Sequence, residues 1–496
     1  MASSVLTYKN NWADGYGAYL HDRNNPARYV TGDGVDCSSP YKVILSPKQN
    51  LLTTGTSTTP FCFGEHRVSG TTSFYIGGNG SGNRKIFRLK TWSTTPAVDT
   101  VYDVAGTGQF WSIQSFGGYI FAAGTPYVYS ASGDLAGWTA STLAGDWDDA
   151  TYLLALRDTL HKLYGTGAAS HAQVSAVAAA LNAGAGWSSA DALNDGTIPV
   201  HGLAGFSDGI AFFTERGPVQ MDYAGNIVPL NQEMVGTTPV NSGYGADVWR
   251  GRIYFPTEPS ALYVFGHDIG MVNVTPGAQQ QRRLESPVDT LYSNMVGRIH
   301  WVKQTHHALY ALMATNDSLK LRLLKCVETE GRHVWHTSTL FVWTEYGSFV
   351  PGYSQDSTSG PVLWTSYGST SKVAYVILPT VADPEQDSRC TYETTGTLYE
   401  PWDDGGAPDK LKLWDKVMYW SIQPTSTTLK LKVVADNGQT ILPQQAVEEG
   451  YHSVRLPPGA FYRRIRVEWE LGTTVATSTP VLNAYALFGE PVDRED

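Results

Sequence analysis

A chain of 496 residues with a formal net charge of −11 is long enough to bury a large core, and it lacks the clustered Lys and Arg with which a surface grips nucleic acid. Aromatic residues make up 12% and charged residues only 16%, with 50 Gly and 26 Pro; this excess of strand-formers and turn-formers excludes disorder and predicts an all-β protein.

Residues 1–25 are rich in Asn, Gly and Tyr without a sustained period and are read as an N-terminal arm, folding against a partner or closing something built later. They carry neither the basic start nor the apolar core of a secretory signal, so export by that route is not expected. Four cysteines, Cys37, Cys62, Cys326 and Cys390, are scattered without a metal-binding spacing and are expected as buried thiols.

The first hairpin joins Phe74–Ile76 to Lys85–Leu89 through GGNGSGN, residues 77–83. The second is the clearest: Tyr119–Ala122 and Tyr127–Tyr129 flank Gly124, Thr125 and Pro126, and Ser130, Gly133, Asp134, Gly137 and Trp138 follow as a tight exit turn with an aromatic plug. We take Ser130, Gly133, Asp134 and Trp138 as a structural turn motif. A third hairpin, Tyr152–Arg157 with Leu160–Tyr164, precedes SHAQVSAVAAALNAG, residues 170–184, which reads as a helical insertion capped by Ser170 and stopped by Gly184.

Further hairpins start at Ile210, Arg252, Ala308 and Pro361. Their uneven spacing, roughly 35 to 60 residues, centres near the period of a four-stranded propeller blade. The predicted fold is therefore an irregular β-propeller of six to seven blades over residues 26–386, with seven favoured; two stacked sandwiches are the competing all-β arrangement. Beyond the linker Val381–Ser388 the texture changes. Leu429, Leu431 and Val433 alternate with Lys430 and Lys432, and Ile465, Val467 and Trp469 alternate with Arg464, Arg466 and Glu468, which predicts an antiparallel β-sandwich over 387–496.

Chemistry is sparse. Asp146, Asp148 and Asp149, and Asp403 with Asp404, lack the spacing of a calcium loop. His333 and His336 lie three apart, so on a strand they point to opposite faces and suit no single metal. No G-x-S-x-G, phosphate loop or dinucleotide fingerprint is present, and neither catalytic residues nor a cofactor or metal is assigned.

The run Val128–Ser130 through Gly133 and Asp134 to Trp138, with the blade-like stretch Gly205–Leu230, resembles segments of bacteriophage tail proteins of the nozzle or tail-hub type. That resemblance implies a non-enzymatic structural protein of the virion tail, assembled in the host cytoplasm. Its implied partners are itself as a ring, hexameric in such proteins, and neighbouring tail or connector proteins, with DNA passing through without specific binding. The same turn partly resembles the Asp-box of sialidase-type propellers, which keeps open a carbohydrate-binding or carbohydrate-hydrolysing propeller, including a receptor-binding protein of a phage. The two readings differ in layout: an enzyme gathers Asp, Glu and Arg or Tyr at the central mouth, whereas a ring component spreads its contacts along its flanks.

Overall fold

A computed structural model describes residues 4–16, 27–53, 58–68, 71–80, 82–91, 97–106, 108–134, 137–143, 145–165, 170–182, 186–188, 191–192, 200–206, 209–214, 217–230, 245–257, 261–276, 297–305, 307–315, 320–329, 331–342, 351–356, 360–367, 372–381 and 384–492. The chain is nearly all β. Seven four-stranded antiparallel sheets cover residues 58–105, 113–140, 152–192, 200–229, 247–273, 297–342 and 351–377, the last completed by Gln49–Thr53. Each hairpin read from the sequence falls in a different one of these sheets.

The first strand of every sheet touches the first strand of the next, and Pro351–Asp356 of the seventh returns to Thr58–Val68 of the first. A cycle of this kind is the arrangement of a β-propeller. Its cohesion is apolar. Six hydrophobic clusters each sit between two neighbouring sheets of the ring. Phe213 of the fourth sheet meets Phe255 of the fifth at 5.0 Å between ring centroids, and Phe74 of the first stacks on Trp364 of the seventh at 4.8 Å. A fully buried Phe contributes about 2–3 kcal/mol, so each sheet is held by the neighbours that cover its two faces.

The ring closes through a strand from far away in sequence. Gln49–Thr53 pairs with Lys372–Ile377, placing Leu52 opposite Val373. Polar stitches reinforce other seams: Ser112 Oγ accepts from the Leu153 amide at 2.8 Å, and the Trp301 indole donates to Thr365 Oγ1 at 3.2 Å.

Apart from one short two-stranded sheet, Val35–Asp36 with Ile44–Leu45, the remaining strands form two five-stranded sheets. One contains Ser4–Lys9, Val481–Val492, Leu411–Ile422 and Gly450–Arg455, with Phe461–Tyr462 paired to Leu411–Ile422; the other contains Thr31–Asp33, Thr395–Tyr399, Ile465–Thr473, Thr427–Ala435 and Thr440–Ala446. They share one core, in which Trp469 of the second sheet lies 6.1 Å from Tyr419 and 5.9 Å from Tyr485 of the first. The alternation read from the sequence appears as burial: Leu429, Leu431 and Val433 are inside, while Lys430 and Lys432 pair across the strands with Glu470 at 2.7 Å and Glu468 at 2.9 Å.

Within residues 1–25, Ser4–Lys9 is an edge strand of a C-terminal sheet, paired with Val481–Val492, which is the second of the two readings given for this segment, a strand that closes something built later. Two expectations need correction. The helical insertion at 170–184 reduces to Val177–Asn182, because Ser170–Val174 pairs with Leu160–Tyr164 as the third strand of its sheet; Gly184 lies outside the described residues. Sheet pairing overrides the helical propensity of this Ala-rich segment. The turn in GGNGSGN is also tighter than expected. Gly80 pairs with Asn83, and Gly77 lies within a strand, where a Cβ would stand 2.5 Å from Cys62 Sγ.

Candidate functional site

The Ser-Gly-Asp-Trp turn links two neighbouring sheets. Val128–Ser130 ends the third strand of the second sheet, where Ser130 is buried and its Oγ accepts the Gly133 amide at 2.8 Å. Gly133 takes φ +68°, and a Cβ there would lie 1.9 Å from Tyr75 Oη of the first sheet. The Asp134 carboxylate receives the Arg88 guanidinium, also from the first sheet, while the Asp134 carbonyl accepts the Gly137 amide at 3.0 Å. Trp138 then packs edge-on against Tyr75, 6.1 Å away at 71°, and beside Tyr102 at 6.3 Å. All four motif residues thus serve one seam. Sequence reasoning found the turn but not Tyr75 or Arg88, which lie some 45 to 60 residues upstream and carry no local signal.

At the ring centre the first strands line a cavity of about 400 Å³. Trp111, Gln114, Tyr152, His201, Asp247 and Lys303 supply its chemistry. Asp247 is the one carboxylate among the described lining residues, and it is fully engaged: Lys303 Nζ lies 3.0 Å away, and the amides of Gln304 and Val248 donate to its two oxygens at 2.8 and 2.9 Å. Tyr152 donates its hydroxyl to the His201 carbonyl at 3.1 Å, and burial raises its pKa well above the usual tyrosine value. The lining thus presents one ion-paired carboxylate beside aromatic, imidazole and amide groups.

A third constellation has no local signature in the sequence. Lys162 Nζ sits among four rings, those of Trp187 at 4.5 Å, Tyr164 at 4.8 Å, Trp147 at 5.5 Å and Tyr127 at 5.8 Å, and donates to the Trp147 carbonyl at 2.6 Å. Such a cage binds cations through ring quadrupoles, and here the chain's own lysine fills it. In the same sheet His161 and His171 are buried 3.1 Å apart, and burial together with the second imidazole pushes the His161 pKa down to about 4.

The fourth is the joint between ring and paired sheets. The largest hydrophobic cluster lies between the fifth and sixth ring sheets and continues into the C-terminal core. Across this joint Lys325 of the sixth sheet reaches Asp36 at 3.2 Å and Ser38 Oγ at 2.7 Å, and Arg322 pairs with Asp33. Burial alone would raise the Asp36 pKa; Lys325 and the Ser38 hydrogen bonds outweigh it and hold the carboxyl below its ordinary value. His336, cross-strand from Lys325, stacks on Tyr29 at 6.2 Å, and burial pushes its pKa down to about 4. His333, three residues earlier, accepts or donates at Tyr254 Oη 2.7 Å away on the other face, so the two histidines are not brought together. Among the described residues no group of three His, Cys, Asp or Glu side chains is placed to hold a metal, and the four cysteines are free and buried. No helix among the described residues is long and apolar enough to cross a membrane.

No protein-family model matches the chain, and no curated protein matches it in sequence. Among solved structures it is similar to YCF48 bound to D1 peptide, at 12% identity and a TM-score of 0.47, over 68% of this chain and 97% of that one. It is similar also to Sqt1 of Saccharomyces cerevisiae, at 9% identity and 0.41 over 68% and 100% of the two chains, and to the WD40 propeller domain of Doa1, at 8% and 0.41 over 68% and 97%.

Proposed function

We propose that this chain is a structural virion protein of a tailed bacteriophage: a seven-bladed propeller fused to a C-terminal β-sandwich that assembles as a ring in the tail nozzle, hub or tip. The observation that carries the reading is the joint. The N-terminal segment lends an edge strand to each sandwich sheet and the closing strand to the propeller, and the sandwich core runs without a break into the seam between the fifth and sixth blades. Such a chain moves as one wedge, which is what a ring component that transmits load requires.

In this role the blades supply rigid flanks and the acidic balance keeps passing DNA from adhering. The test is immunogold electron microscopy of particles from the source, with antibody raised against the recombinant chain. Label confined to the tail at constant copy number is expected. Protein found free in the lysate and absent from particles overturns the reading and turns attention to glycans.

A further inference from the structure

The outer face of the sheet that holds Ser4–Lys9, Val481–Val492, Leu411–Ile422 and Gly450–Arg455 is apolar where a solvated face is expected. Tyr451 is 71% exposed, Tyr8 58% and Trp420 49%, and Ile422 and Phe461 are also exposed. The registers place them together. Trp420 lies directly between Tyr451 on one neighbouring strand and Ala484 on the other, while Tyr8 is opposite Ala486, which is opposite Met418. The two alanines keep the floor low between Tyr8 and Trp420. A contiguous apolar face of this kind on a soluble domain marks a contact surface.

Its charges say what it contacts. Lys416 and Arg455 are directly opposite each other on adjacent strands, a like-charge pair that destabilises a sheet standing alone. Lys416 Nζ lies over the Phe488 ring at 4.6 Å, and neither cation is ion-paired to a carboxylate among the described residues. Glu490, two positions beyond Phe488 on its strand, is a carboxylate of the same face. The chain as a whole carries −11, so a cationic, aromatic face is set on an acidic body.

We propose that this face docks against the acidic surface of a second copy of the chain, in a head-to-tail contact. A two-fold contact centred on Lys416 and Arg455 would set like charges against each other; a heterologous contact brings them against carboxylates and leaves each copy with one donor and one acceptor surface. The inference deepens the assembly reading above and rests on it for the identity of the partner.

The experiment is sedimentation velocity of the full chain over a wide concentration range at low and high salt, beside W420T/Y451T and K416E/R455E. Trp420, Tyr451 and Arg455 are exposed and Lys416 is half-buried, all on strands, and circular dichroism and the thermal midpoint establish that each variant retains the fold. Wild type is expected to form species larger than monomer, more readily at low salt; W420T/Y451T is expected to associate at least about ten-fold more weakly, the scale for truncating interface aromatics, and K416E/R455E to lose the salt dependence. A wild-type chain that stays monomeric throughout, or folded variants that assemble as wild type does, overturns the proposal. Tail label on particles combined with a monomeric chain leaves the virion reading standing and removes this contact; assembly through this face without label on particles does the reverse. Binding of the monomer to a glycan array, abolished in W420T/Y451T, assigns the face to sugars and likewise overturns it.

Discussion

Lys9 Nζ and Glu400 Oε2 lie 2.7 Å apart with their side chains 1% and 0% exposed, although 391 residues separate them. The second carboxylate oxygen of Glu400 accepts the Trp12 indole N–H at 2.7 Å, and Lys9 also donates to the Arg28 carbonyl. The pair fastens the N-terminal strand to the C-terminal core, and every polar atom of it is occupied by another part of the chain.

Removing one partner leaves the other charged and buried. Lys9→Met is expected to destabilise the protein by about 3–5 kcal/mol in denaturant unfolding, whereas Lys9→Met with Glu400→Leu costs clearly less than the sum of the two single changes. Additivity of the single changes would show that the two side chains act separately.

The seam between the first two blades depends on Gly133. At φ +68° a side chain costs about 1–2 kcal/mol in backbone energy alone, and the Tyr75 hydroxyl occupies the place of the Cβ. Gly133→Ala is therefore expected to lower the thermal midpoint, and to lower it less in a Tyr75→Phe background, where the nearest atom is gone. Ser130→Ala, which frees the Gly133 amide, is expected to cost about 1 kcal/mol.

Acid acts on the joint through His336. Its folded pKa, pushed by burial down to about 4 from the ordinary histidine value of about 6.5, means that the unfolded chain binds the proton first. The associated stability is complete above about pH 6.5 and is lost as the pH falls toward about 4, on the order of 3 kcal/mol in all. Urea unfolding across this window is expected to show that slope, reduced in His336→Gln. Asp36, whose carboxyl is held low, adds a loss of the same sign at more acid pH. An unchanged slope in the variant would assign the acid sensitivity elsewhere.

Ring closure rests on Gln49–Thr53. Leu52→Ala removes a buried side chain from the cluster shared by the seventh and first sheets, at a cost of about 2–5 kcal/mol. Hydrogen exchange is expected to quicken in both blades at once. Quickening confined to residues 49–53 would mean that this strand frays without bearing on the ring.

The hairpins were readable because their information is local. Alternation of period two, Gly and Pro at turns, and runs such as Leu429 to Val433 specify a strand and its buried face from adjacent residues. The Ser130 to Trp138 turn was readable for the same reason, as Ser130 caps an amide three residues away. Its role was not, because Tyr75 and Arg88 come from another sheet.

Pairings between distant segments became visible only in the folded chain. Gln49–Thr53 is a five-residue run that becomes a strand because the open edge of Lys372–Ile377 needs a partner, and Ser170–Val174 is extended because Leu160–Tyr164 offers it one. The charges that hold the joint, Lys9 with Glu400 and Lys325 with Asp36, are likewise unremarkable until folding buries them together. Composition and periodicity set which segments are strands and which faces are apolar; which edge each strand completes depends on the free energy of pairing and burial across hundreds of residues, and no local pattern encodes it.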